Sequence, residues 1–227
     1  MARYIRLHVD KAVGNFGSGR EFFVFKVPGS PSFIPGDINK DGKIDSNDLT
    51  SYTNYTGLRM GDGDFDYVSM GDVNRNGLID AFDIANVAVK LDGGIESPWN
   101  IKPIEGTLSL ESSKKSYAPG EEMVLTLSGQ DLQALAAFSL AIPYDPAVIE
   151  YLGIEPSELL ANMENLTYDR LHTSGDKVLY PTFVTIGDKP DVNGSGALLT
   201  IRFRVKARTS APTMQGPIMV NKLLQSK

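Results

Sequence analysis

The sequence predicts two unlike folds in one multidomain chain: a small all-α segment built on a duplicated acidic loop, and an all-β sandwich of the jelly-roll or Ig-like kind behind it. Three observations predict this. "GDINKDGKID" opens at Gly36 and "GDVNRNGLID" opens at Gly71. Apolar residues recur at helical spacing after each copy. From residue 107 onward, apolar and polar residues alternate in short runs separated by turn signals. The 227 residues suit two small domains better than one large one, and a hydrophobic content of 41% is enough for packed cores.

Taken in order, residues 1–28 read as two strands, "RYIRLHVDKA" and "REFFVFKV", joined by the turn-rich "VGNFGSG". A lone hairpin is marginal in water and is expected to pack on a neighbour or fray. The opening "MARYIRLHVD" alternates apolar residues with charge and lacks the pattern of a signal peptide, so the chain reads as a piece of something longer. Residues 29–35 are a Pro/Gly/Ser linker, 36–92 hold the repeat, and 93–104 form a second linker within "GGIESPWNIKPIEG". Residues 105–227 carry the strands. In "LLTIRFRVK", Leu199, Ile201, Phe203 and Val205 point one way while Thr200, Arg202, Arg204 and Lys206 point the other, the period of a half-buried strand. "EMVLTLS", "AAFSLAI", "AVIEYLGI" and "KVLYPTFVTI" read similarly, with "APGEE", "YDPA" and "NGSG" as turns, which together suggest a sandwich. One short helix is expected near "PSELLANM".

Composition removes several function classes. A net charge of −6 gives a nucleic-acid partner no electrostatic support. No apolar run approaches the ~20 residues of a membrane span. With no cysteine, disulfides, thiolate metal sites and cysteine nucleophiles are excluded.

The duplicated loop carries the chemistry. Residues 37–48 align with 72–83, and six positions are identical: Asp37/Asp72, Asn39/Asn74, Gly42/Gly77, Ile44/Ile79, Asp45/Asp80 and Asp48/Asp83. Oxygen-bearing side chains fall at loop positions 1, 3, 5, 9 and 12, with Gly at 6. This is the EF-hand ligand register, in which hard oxygen donors surround Ca²⁺ and the Gly permits a sharp turn. In the first loop Asp37, Asn39 and Asp41 are assigned as side-chain ligands, Lys43 gives its carbonyl, Asp45 acts through water and Asp48 closes the site. The same roles fall to Asp72, Asn74, Asn76, Leu78, Asp80 and Asp83. Two Ca²⁺ ions are expected, since many oxygens in a flexible cage suit the larger ion over Mg²⁺. Position 12 is Asp rather than Glu, a shorter arm for bidentate closure. Four carboxylates in the first loop against three in the second predict a weaker second site.

The helices follow the loops. Pro28, Pro31, Pro35 and Gly36 forbid a helix entering the first loop. After it come Leu49, Tyr52 and Thr53. After the second loop come Ile84, Val87, Ala88 and Leu91, ended by Gly93. A duplicated calcium loop followed by a single helix, with "D-x-N-x-D-G-x-I-D" leading into "DL" and "DI", resembles a type I dockerin over residues 36–92. The resemblance implies a module that plugs into a cohesin, with pseudo-twofold symmetry, and places partner choice at Ser46, Asn47, Ala81 and Phe82. Phe82 serves equally as a core or interdomain contact. The intervening "LRMGDGDFDYVSM" reads as a solvated turn, with Asp62, Asp64 and Asp66 the lesser candidates for a third ion.

Residues 105–227 resemble a cohesin, on "YAPGEEMVLTLS", "AFSLAIPYDPAVIEYLGI" and "GSGALLTIRFRVK". The family implies a jelly-roll sandwich of about nine strands, one face of which can receive a dockerin. The N-terminal strands resemble the end of a discoidin-like (factor 5/8 type C) domain. No catalytic constellation is visible: His8 is expected in solvent, His172 at a strand end, and Glu111, Glu121, Glu122, Glu150 and Glu158 have no spacing that suggests an acid pair. The sequence therefore reads as a non-catalytic, calcium-dependent assembly module. The resemblance implies a secreted or cell-surface polysaccharide-degrading glycoside hydrolase as its parent, and a cohesin-type partner in another protein, in this chain or in a neighbouring copy. The 93–106 linker reaches at most ~45 Å, so the domains are tethered neighbours, expected to pack side by side with their docking faces free; pairing within the chain or head to tail are the alternatives. The competing reading is a carbohydrate-binding or spacer sandwich, for which Trp99, Tyr144, Tyr151, Tyr168 and Tyr180 would have to form a stacking face.

Overall fold

The computed structural model describes residues 34–91, 105–187 and 189–221. All of them fall within one compact unit, Ser32–Lys227. The strand pair expected at 1–28, the linker at 93–104, His8 and Trp99 lie outside the described residues.

Among the described residues three α-helices precede nine strands. α1 (Ser46–Tyr55) and α3 (Ala81–Leu91) each start at the end of an acidic loop. Asp45 caps α1: its side chain accepts from Asn47 N, while the Asp48 side chain accepts from Asp45 N. This reciprocal capping satisfies donors that the first helical turn leaves orphaned. The same bonds recur at α3, where Asp80 accepts from Phe82 N and Asp83 from Asp80 N. Between them, α2 (Phe65–Val68) runs into a 3-10 turn at Ser69–Gly71. The connecting segment expected as a solvated turn is therefore partly core: Phe65 and Val68 are buried, because they complete the small apolar cluster around Tyr52 and Ile38.

The strands are β1 (Thr107–Ser112), β2 (Glu122–Tyr144), β3 (Ile149–Pro156), β4 (Met163–Asn165), β5 (Tyr168–Leu171), β6 (Lys177–Tyr180), β7 (Thr182–Thr185), β8 (Val192–Val205) and β9 (Gln215–Asn221). "EMVLTLS" and "AAFSLAI" belong to the one long β2 rather than to separate strands. Asp131 and Ala134 take positive φ (53° and 50°) where β2 bends. β8 steadies the bend, with Ser195 Oγ accepting from Asp131 N and Asn193 Oδ1 from Ala134 N. The N-terminal part of β2 pairs with β1 and β8, and the C-terminal part pairs with β9 on one side and β7 and then β6 on the other, all antiparallel. β4 pairs with β7, so β9–β2–β7–β4 forms one sheet face. In β8, Leu199, Ile201, Phe203 and Val205 are buried as the alternation predicts. The helix expected near "PSELLANM" is only a 3-10 turn, Glu158–Leu160.

The sandwich interior is filled by Phe138, Phe183, Phe203, Met123, Leu125 and their neighbours, with Phe138 and Phe183 stacked at 5.4 Å. A second cluster joins the helices to the outer side of the same sheet: Ile84, Val87 and Phe82 share it with Ala137, Val184 and Val220. The period of a strand explains this. Phe138 and Phe183 face inward, so Ala137, Ser139 and Val184 face out, where α3 covers them. The expected side-by-side packing with both docking faces free is not what forms: α3, the helix of the second repeat, lies on the sandwich.

Candidate metal loops and docking interface

The two loops are built alike. Asp37 accepts from Asp41 N (3.1 Å) and Gly42 N (3.0 Å), and Asp72 accepts from Asn76 N (3.1 Å) and Gly77 N (2.9 Å). Asp48 accepts from Ile38 N at 3.0 Å, and Asp83 from Val73 N at 2.8 Å. Asn39 and Asn74 accept from residues 41 and 76, and Asp41 and Asn76 from Lys43 N and Leu78 N. The turn needs left-handed backbone at the same two places in each copy: Lys40 and Gly42 (φ 62° and 88°), Arg75 and Gly77 (60° and 83°).

The donor set has the character of a cation cradle. Asp37, Asp48, Asp72, Asp80 and Asp83 are all buried. Burial, with help from Asp37 and Asp41, raises the Asp48 carboxyl. In the second loop burial and Asp72 push Asp80 up to about 6, and burial and Asp80 push Asp83 well above its usual range. Buried like charges at this density need a counter-ion or protons. Among the described residues no three acidic or His side chains gather closely enough to hold an ion alone. The assigned Asn side chains and the carbonyls of Lys43 and Leu78 would supply the remaining oxygens, as in the EF-hand scheme. Tyr52 sits between the loops and donates to Gly71 O at 2.7 Å; burial and the acids of both loops raise its phenol.

Of the four residues placed at partner choice, Ser46 and Asn47 are exposed, whereas Ala81 and Phe82 are buried at the sandwich. Ala81 N donates to Ser139 Oγ at 3.3 Å. Polar contacts flank this apolar patch. Arg170 of β5 donates to Thr56 O and Asn54 O at the C-terminal end of α1, where a cation is favoured by the negative end of the helix dipole. His172 lies with Nδ1 2.7 Å from Asp62 and Nε2 2.9 Å from Tyr180 Oη. Asp62 also accepts from Thr173 N (3.0 Å) and Arg59 N (3.0 Å), while Arg59 pairs with Asp176 at 2.7 Å. Burial would raise the Asp62 carboxyl, but these donors outweigh it and hold its pKa below the usual range. Gly57, at φ +76°, lets the chain press against the Tyr180 ring, where a Cβ would come within 2.2 Å. Main-chain bonds Gly57 N to Ile79 O, Ile79 N to Leu58 O and Met60 N to Gly77 O tie this segment to the second loop.

Sequence reasoning therefore missed Asp62, Arg170 and the buried role of His172. One signal was present for the sheet: "LAAFSLAI" is apolar with no polar alternation, the mark of a strand covered on both faces.

A family model described as Cohesin domain matches residues 106–219, and one described as Dockerin type I domain matches residues 35–92. The chain belongs to the cohesin family. It carries a type I dockerin domain ahead of its cohesin domain. Type I dockerin domains typically bind calcium, and both modules are non-catalytic and indicate a role in protein–protein assembly. Among solved structures, the cohesin chain is similar to a type II cohesin domain from the cellulosome of Acetivibrio cellulolyticus (13% identity, 52% of this chain and 84% of that one, TM-score 0.39). It is similar also to a non-cellulosomal cohesin of Archaeoglobus fulgidus (14%, 51% and 79%, TM-score 0.38). A third is a type I cohesin–dockerin complex of Clostridium thermocellum (14%, 58% and 90%, TM-score 0.39). At these values the assignment rests on the family models. No curated protein matches the chain. Among the described residues no helix is long and apolar enough to cross a membrane.

Proposed function

We propose that this chain is a calcium-dependent assembly module of an extracellular or cell-surface polysaccharide-degrading glycoside hydrolase. Asp37, Asn39, Asp41, Lys43, Asp45 and Asp48 hold one Ca²⁺, and Asp72, Asn74, Asn76, Leu78, Asp80 and Asp83 hold the second. The ions neutralise the crowded carboxylates and fix the start of each helix. A cohesin-type domain is the partner, with Ser46 and Asn47 as the exposed contact residues. The observation that supports this reading most is the repeated hydrogen-bond scheme: Asp37 and Asp48 are held by the same loop positions as Asp72 and Asp83.

Isothermal titration of the chelator-stripped chain with Ca²⁺ tests it. Two ions should bind per chain, and Asp48→Ala and Asp83→Ala should each remove one. Absence of binding in the wild-type chain would end the reading. The alternative of a sugar-binding sandwich gains no support from the aromatics. Tyr180 is buried, Tyr144 and Tyr151 pack on Phe203, and Tyr168 lies under the Arg170 guanidinium.

A further inference from the structure

We infer that the chain is its own docking partner: its second loop–helix half is seated on the β9–β2–β7–β4 face of its own cohesin domain, in that orientation alone. The half-repeats are related by a shift of 35 positions, so each covered residue has a counterpart in the first half. Ala81, Phe82, Ala85 and Ala88 of the second half are buried at 0%, 4%, 6% and 3% exposure. Their counterparts are Ser46, Asn47, Thr50 and Thr53, of which the first three are exposed and the last is half-buried.

Chemistry makes the choice one-way. The sheet offers Ala137, Val184 and Val220, which are small and apolar, the hydroxyl of Ser139, and opposite it that of Thr182, which already donates to Tyr180 O. Alanines at 81, 85 and 88 let the helix approach closely and bring no polar atom with them. Turning the module about its pseudo-twofold would press three hydroxyls and an amide onto the same apolar surface, where most of them would lose water without gaining a partner. The flanking contacts have a direction as well. Asp62, held by His172 and Thr173, lies in the connection between the repeats and has no second copy. Arg170 grips the end of α1 in this pose. A sheet face already covered from within the chain is closed to a second copy and to other dockerins, and the half bearing Ser46 and Asn47 stays open. The assembly reading assigns that open half its outside partner; self-docking stands without it.

The chain has no cysteine, so paired cysteines report the docking without background. Under mild oxidation with Ca²⁺ present, Ala81→Cys with Ser139→Cys should form a bridge within one chain. The rate should be independent of protein concentration and at least tenfold that of the counterpart pair, Ser46→Cys with Ser139→Cys. Urea unfolding of each reduced variant checks that the fold is kept. If the first pair does not fold, Asp62→Cys with Thr173→Cys reads the same docking at the flank. Equal rates for the two counterpart pairs, bridges found only between chains, or no bridge in folded protein would each overturn the proposal. Intrachain bridging in a chain that binds no Ca²⁺ would leave self-docking intact and remove the assembly reading; two bound ions with interchain bridges would do the reverse.

Discussion

Asp62 shows how one side chain can hold two modules together. Its carboxylate is 6% exposed and receives bonds from His172, Thr173 N and Arg59 N. These lower its folded pKa, whereas an unfolded aspartate titrates near ~3.9. Above that value the unfolded state binds no more protons at this site and the full stabilisation is present; as pH falls through the lowered folded pKa it is lost. We expect Asp62→Asn to cost about 1–3 kcal/mol at neutral pH. The gap between wild type and variant, read as urea midpoints from pH 7 down to pH 3, should shrink only below about pH 4. A constant gap through that range would mean that the carboxylate charge is not what matters. Nothing in "GDGDFD" distinguishes Asp62 from Asp64 and Asp66, which explains why the segment reads as solvated; its partners in the sandwich, His172 and Thr173, lie 110 and 111 positions away.

α1 and α3 descend from one pattern yet meet different surroundings. "AFDIANVAVKL" is apolar on nearly every side, whereas "SNDLTSYTNY" buries chiefly Asp48, Leu49 and Tyr52. A helix apolar all round must be covered on all sides, so the sequence does carry the sign that α3 has an outer partner. The loops, both helices after them and the alternation in β8 were legible because each depends on residues close in sequence. The bend that joins two strand signals into β2 was not, since Asp131 and Ala134 depend on side chains of β8 some 60 positions later. Nor was the role of Arg170, whose guanidinium meets α1 across 114 residues. Replacing Arg170 with Ala should destabilise the chain by about 2–3 kcal/mol, because buried bonds from a charged donor to two carbonyls are lost. Arg170→Lys should recover only part, since an ammonium lacks the planar fork. Full recovery with Lys, measured by the urea midpoint, would show that charge alone suffices.

Seen whole, the molecule has one core that needs no helix and one that does. The sandwich interior is closed by its own strands, while the helices share their cluster with the outer side of the sheet. A segment of under about 60 residues has little core of its own and depends on a metal or a neighbour for stability. The sheet under α3 is such a neighbour, and the Ca²⁺ proposed at the helix starts would be the metal. Metal binding of this kind is linked to folding. The account thus predicts a division of labour, in which the ions shape the helical module and the shaped module covers the sandwich. Far-UV circular dichroism of the intact chain during titration with a calcium chelator tests this most directly. The helical signal should fall while the β signal persists, and should return when Ca²⁺ is restored. A spectrum unchanged after the metal has been stripped would contradict it.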